Sequence, residues 1–184
     1  MSSKLSDKDL KKNLAVALKN NGKYKITKIT KKGSKVTGGT VTYMAPYDKN
    51  AISMTAPKSV KFGGVTFKVY AIGANAFKNN NKLITATIEG NVTSIGANAF
   101  SGCSSLTTVT IKKGSITTIG AKAFFNCKKL NSFSVTGLNL KKVGSNAFKN
   151  TNSKITFKCP KSKLKNYIKL FKKAGASKKA KYTK

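Results

Sequence analysis

Apolar and polar positions along the middle of this chain follow a unit that returns every 23 or 24 residues. The block Ile-Gly-Ala-x-Ala-Phe stands at Ile72–Phe77, Ile95–Phe100 and Ile119–Phe124, with a looser copy at Val143–Phe148. Six residues beyond the first three Phe come Leu83, Leu106 and Leu130, followed by the apolar pairs Ala86 and Ile88, Val109 and Ile111, Phe133 and Val135. This register predicts a short strand whose alternate side chains point inward. A second inward pair precedes each later block: Val92 and Ile95, Ile116 and Ile119, Leu140 and Val143. The glycine after each Ile or Val (Gly73, Gly96, Gly120, Gly144) predicts a corner that needs either positive φ or close approach of the neighbouring coil. Ala-x-Ala-Phe predicts a short helical or 3-10 turn with Phe as the stacking knob. Self-similarity at this period is the mark of a solenoid, in which no single unit buries its apolar face alone.

The fourth copy degrades as a terminal one does. Lys154 replaces the Leu, and Ile155, Phe157 and Cys159 continue a strand that stops at Pro160. Residues 162–174 then predict a basic amphipathic helix with Leu164, Ile168 and Phe171 on one face and Gly175 as its C-cap, covering the open end of the coil. Upstream, residues 1–22 predict a helix: Ser6 or Asp7 is the N-cap, Leu10, Leu14, Ala17 and Leu18 have helical spacing, and Asn20-Asn21-Gly22 closes it. Between them the period is two, at Tyr24 and Ile26 and at Val41 and Tyr43, with a hairpin from Val60 to Val69 around Gly63-Gly64. The expected organisation is a helical leader at 1–22, a β-rich N-terminal cap at 23–70, repeats at 71–160 and a basic helix with a disordered tail at 161–184.

Charge changes the picture more than size does. The chain has 184 residues and 39% apolar content, ordinary for one folded domain, but 37 basic residues against 4 acidic ones give a net charge of +33. Every positive side chain is a lysine, since Arg and His are absent. Such a surface attracts polyanions at long range. The missing Arg, the usual bidentate reader of guanine and phosphate, argues against sequence-specific nucleic-acid binding.

The same inventory argues against catalysis. Without His there is neither the commonest general base nor the commonest non-thiol metal ligand. The four acids are isolated, and only Glu89 lies in the repeats. Cys103, Cys127 and Cys159 are odd in number and lack C-x-x-C spacing, which predicts free core thiols rather than a disulfide framework or a zinc site. The glycines fall one per coil, not clustered as a phosphate loop. No cofactor is expected. No apolar run approaches the ~18 residues of a membrane span. Leu14–Leu18 is too short for the apolar core of a secretory signal, so a signal for export would lie outside this sequence.

What remains is the outward face of the strands. Its residues form columns across coils: Thr85, Thr108, Ser132 and Thr156; Thr87, Thr110, Ser134 and Lys158; and Glu89, Lys112 and Thr136. Small hydroxyls in columns offer one long binding surface. Thr also suits strands for its propensity and cross-strand contacts, which is the simpler reading of any single position. An ice-binding array is disfavoured because Lys158 and the Ser positions break the Thr-x-Thr pattern.

Residues 95–111, Ile-Gly-Ala-Asn-Ala-Phe-Ser-Gly-Cys-Ser-Ser-Leu-Thr-Thr-Val-Thr-Ile, resemble the repeat of the BspA-like leucine-rich repeat proteins of bacterial surfaces. The resemblance covers about residues 65–160, with Asn80 and Thr151 standing where the pattern has Cys. It implies a β-rich, leucine-rich-repeat-like, right-handed coil of about four repeats, with N-terminal helix and β-hairpin cap and a C-terminal capping helix. It also implies an extracellular, surface-attached, non-enzymatic adhesion or binding module. The partner would be a host or bacterial surface protein or glycan. The alternative is a structural anchor that holds a larger surface protein to anionic wall polymers through its lysines.

Overall fold

The computed structural model describes residues 10–18, 22–112, 114 and 116–184. Strands β1 (Ala15–Leu18), β2 (Gly22–Lys32) and β3 (Lys35–Ala45) form an antiparallel meander, and β5 (Ser59–Phe62) and β6 (Val65–Ile72) form the expected hairpin. Gly63 and Gly64 have φ 56° and 74°, the paired left-handed residues that a two-residue hairpin turn demands. β6 then pairs in parallel with β3 and begins a ladder through the two-residue strands β8 (Ser94–Ile95), β10 (Thr118–Ile119) and β12 (Lys142–Val143). A second sheet, parallel throughout, runs in the order β14 (Lys181–Thr183), β13 (Thr156–Lys158), β11 (Ser132–Val135), β9 (Thr108–Ile111), β7 (Thr85–Ile88) and β4 (Ser53–Ala56).

The coil therefore has six rungs where the sequence motif counts four. β4 stacks on β7 with Met54 and Ala56 buried in line with Ala86 and Ile88, although its coil lacks the Ile-Gly-Ala block. At the other end β14 adds a rung after the helix. The boundary expected between residues 70 and 71 falls inside β6. One core runs without interruption from Leu10 to Ala174.

A third side of each coil is a ladder of turns. Left-handed residues recur there four positions apart: Asn75 and Asn79 both have φ 60°, and Asn98 and Gly102, Lys122 and Asn126, and Asn146 and Asn150 repeat the conformation. This replaces the helical turn expected of Ala-x-Ala-Phe. Every second N–H of the ladder points at the next coil: Asn75, Phe77 and Asn79 donate to the carbonyls of Ala97, Ala99 and Ser101 at 3.0, 2.7 and 2.7 Å. The corner glycines have no positive φ; they are there for proximity. A Cβ on Gly96 or Gly120 would lie 2.5 Å from the backbone nitrogen of Ala74 or Ala97 in the preceding coil.

Behind that ladder Phe77, Phe100, Phe124 and Phe148 stack in a column, with successive centroids 5.0, 5.2 and 5.4 Å apart and planes within 10°. Tyr43 continues the stack below Phe77 at 5.4 Å. Phe171, from helix α1 (Leu164–Lys173), closes it edge-on against Phe148 at 5.3 Å. Stacked and edge-on pairs each add roughly 0.5–1.5 kcal/mol beyond their burial.

Two expectations at the ends give way. The leading helix is not formed over the described residues 10–18; its Ser6, Asp7, Asn20 and Asn21 signals lie outside the described residues. Ala15–Leu18 instead alternates, with Val16 buried between exposed alanines, and pairs along β2. A short isolated helix is marginal, whereas an open strand edge offers a ready ladder. For the same reason residues 181–183 are not disordered: they pair with β13, and Tyr182 stacks on Phe157 at 5.4 Å. Helix α1 forms where expected and ends at Gly175 with φ 88°. Its buried anchors are Tyr167 and Phe171, with Leu164 and Ile168 only half-buried.

Candidate functional site

The parallel register aligns the outward columns as the repeat implies. Thr85, Thr108, Ser132 and Thr156 are direct neighbours, as are Thr87, Thr110, Ser134 and Lys158. The sheet extends both columns at both ends, adding Ser53 and Thr55 from β4 and Lys181 and Thr183 from β14. The alternation in Ser-Met-Thr-Ala at 53–56 was the only sequence signal for the first pair. At ~4.8 Å per strand the six rungs span about 24 Å.

Hydrogen bonding divides the hydroxyls into two groups. Those at the corners are used within the fold: Thr93, Thr107 and Thr117 donate to the carbonyls of Tyr70, Ile84 and Thr93 in the preceding coil at 3.1, 3.2 and 3.1 Å. In the columns, Thr85, Thr87, Thr110, Ser132, Ser134 and Thr156 have no side-chain partner among the described residues, and Thr108 meets only Thr107, at 3.5 Å. The third column is different. Glu89 pairs with Lys112 at 2.8 Å, and the Thr136 hydroxyl turns to the carbonyl of Ile111 at 3.4 Å. That column is largely satisfied internally, so the free donors and acceptors concentrate in the first two.

One edge of this face is apolar, which sequence reasoning missed. Ile52 and Ile84 sit beside the first column on successive rungs, 63% and 41% exposed, joined by the Ile84 N–H to the Ile52 carbonyl at 2.7 Å. No periodicity marks them, because Thr107 and Asn131 take the equivalent place in later coils. The other end is cationic. From residue 141 to 184 there are 15 lysines and no acid, so the lysines are denser at this end than an even spread would make them.

The cysteines are placed to be inert. All three are free and buried. Burial pushes the Cys103 thiol up to about 12 and that of Cys159 up to about 11, and raises Cys127 as well. Thiolate, the nucleophilic and metal-binding form, is thereby suppressed at neutral pH. Among the described residues no three His, Cys, Asp or Glu side chains come together. No helix among them is long and apolar enough to cross a membrane.

Residues 50–176 match the sequence profile of the BspA type leucine rich repeat region, in six copies. A leucine-rich repeat protein from Bacteroides capillosus has a similar structure, with TM-score 0.64 and 25% identity over 79% of this chain and 98% of that one. A leucine-rich repeat protein from Bacteroides ovatus shares 31% identity, with TM-score 0.57, over 71% of this chain and 33% of its own. A leucine rich cell surface protein from Faecalibacterium prausnitzii superposes with TM-score 0.58 at 24% identity, over 80% of this chain and 37% of its own, a likeness of fold. This chain thus spans about a third of the last two. Comparison with curated proteins finds no match.

Proposed function

The chain belongs to the BspA-type leucine-rich repeat family, and from that premise we propose that it is a non-catalytic binding or adhesion module of a bacterial cell surface, engaging a protein or glycan through its long parallel sheet. The observation that carries this reading is the pair of columns whose hydroxyls, Thr108 apart, have no side-chain partner among the described residues, set beside exposed Ile52 and Ile84. A protein interface draws its energy from a few apolar anchors ringed by polar groups, and this face has both. The Faecalibacterium protein of similar fold is a cell surface protein, in keeping with that location.

A second reading, attachment to an anionic wall polymer, is favoured by the acid-free stretch from residue 141 to 184, where Lys165, Lys169, Lys172 and Lys173 are exposed on α1. Salt separates the two. Binding through lysines to a polyanion collapses between ~50 and ~200 mM salt by counterion release.

The test is a glycan and matrix-protein array probed at both ionic strengths with the native chain and with Thr87→Ala/Thr110→Ala/Ser134→Ala. Signal that survives salt and drops in the triple variant is the expected result. Signal that disappears at high salt and ignores the triple variant overturns the strand face in favour of the lysine end.

A further inference from the structure

We infer that the gap between the first repeat's turn ladder and the loop after β3 is a binding site for a sugar that carries a carboxylate. It is separate from the strand face, and either reading can fail without the other.

The gap exists because the first rung is incomplete. In every later coil the ladder carbonyls are taken by N–H groups of the coil before: Ala99 by Phe77, Ala123 by Phe100, Ser101 by Asn79, Phe125 by Gly102, at 2.7 to 2.8 Å. The corresponding carbonyls of the first ladder, those of Ala76 and Lys78, have no donor among the described residues, because the β3–β4 coil carries no Ile-Gly-Ala-x-Ala-Phe block. In its place the loop at 46–50 stands off, leaving a pocket of about 320 Å³ that Ala76 and Lys78 line. That is the low end of the roughly 300–1,000 Å³ usual for small-molecule sites.

Its lining dictates the chemistry of an occupant. Two orphan carbonyls can only accept, so the ligand must present hydroxyl or N–H donors. Around them stand Lys23, Lys49, Lys78 and Lys82, all exposed, and no acidic residue lines the pocket. Asp48, adjacent in sequence, is turned to the backbone N–H of Asn50 at 2.8 Å. Among the described residues none of these four ammonium groups is in a salt bridge, so they call for an anion. Ala76 and Phe77 add an apolar lining for C–H faces. A carboxylated pyranose offers donors, a negative group and an apolar face in one compact molecule. A peptide suits less well: matching this ladder requires left-handed residues four positions apart, a conformation most L-residues rarely adopt.

The probe is N-acetylneuraminic acid, titrated into the isotope-labelled chain at ~50 mM salt and followed by amide chemical shifts. Parallel titrations use galactose, sodium acetate, sodium phosphate and triglycine. The expected result is saturable shifts at residues 76–82, at least tenfold weaker in Lys78→Gln/Lys82→Gln, unchanged in Thr87→Ala/Thr110→Ala and absent with galactose. No saturable shift, shifts that map elsewhere, or equal binding of acetate, phosphate or triglycine overturns the proposal. If the lysine variant melts differently from the native chain, the shift map on the native chain decides.

Discussion

The thiol of Cys103 donates to the main-chain carbonyl of Phe77 in the preceding coil at 3.0 Å, and Cys127 repeats the contact on Phe100 at 3.1 Å. Cysteine here is a coil-to-coil fastener, held under the aromatic column it helps to align.

That placement makes the thiols unreactive until the coil opens. A disulfide-exchange reagent at pH 8 should find no thiol in the native chain and three in denaturant. Alkali should destabilise the fold in the corresponding window. Burial raises the Cys103 pKa from 9.0 to about 12, so the native state holds its proton where the unfolded state gives it up. Stability is full below pH 9 and falls as pH rises toward 12, adding to the same tendency at Tyr43, raised from 10.0 to about 12. Chemical denaturation midpoints measured from pH 7 to 11 check the slope; a flat profile would contradict it.

Lys122 holds φ 55° at a place where Asn98 and Asn146 stand in the adjoining coils. Left-handed backbone costs an ordinary residue roughly 1–2 kcal/mol, and Asn tolerates it better. Lys122→Asn should therefore stabilise the chain by about 0.5–1 kcal/mol, seen as a rise of ~1–4 °C in Tm. The lysine's ring contact, Nζ 6.0 Å from the centroid of Phe125, lies at the outer limit of a cation–π pair and offsets only part of this.

Two tyrosines should respond with opposite sign to the same change. Tyr167 Oη donates to the carbonyl of Gly137 at 2.8 Å and accepts from the Leu140 N–H at 3.1 Å, both buried. Tyr167→Phe strands those two backbone groups and should cost about 1–3 kcal/mol while loosening α1.

Tyr182 has a buried hydroxyl with no partner among the described residues, while its ring covers Phe157. Tyr182→Phe keeps the ring and removes the orphan, so it should be neutral or stabilising by up to ~1 kcal/mol. Tyr182→Ala should be destabilising, by uncovering the end of the core. Urea midpoints for all three variants decide.

What could be read from the sequence is what recurs. The alignment of Thr85 with Thr108 and Ser132 follows from a period of 23 or 24 residues, and the aromatic stack from one Phe per coil. What depended on an edge was hidden: Ala15–Leu18 and Lys181–Thr183 are strands only because β2 and β13 offer partners. The asparagines that carry the left-handed ladder were in plain view at 75, 98 and 146, yet a helical turn fits the same letters. The strand face was legible as residues in columns; that its hydroxyls are unengaged while those of Thr93 and Thr117 are not is a matter of rotamer and neighbour, invisible to spacing.

Because each coil touches little beyond its two neighbours, whole units can be gained or lost without redesigning the rest. Every duplicated unit would lengthen the hydroxyl columns by one strand spacing, ~4.8 Å. A lineage carrying such a chain can thus adjust its molecular reach as a ruler is extended, by fixed graduations, while the chemistry at each mark stays the same.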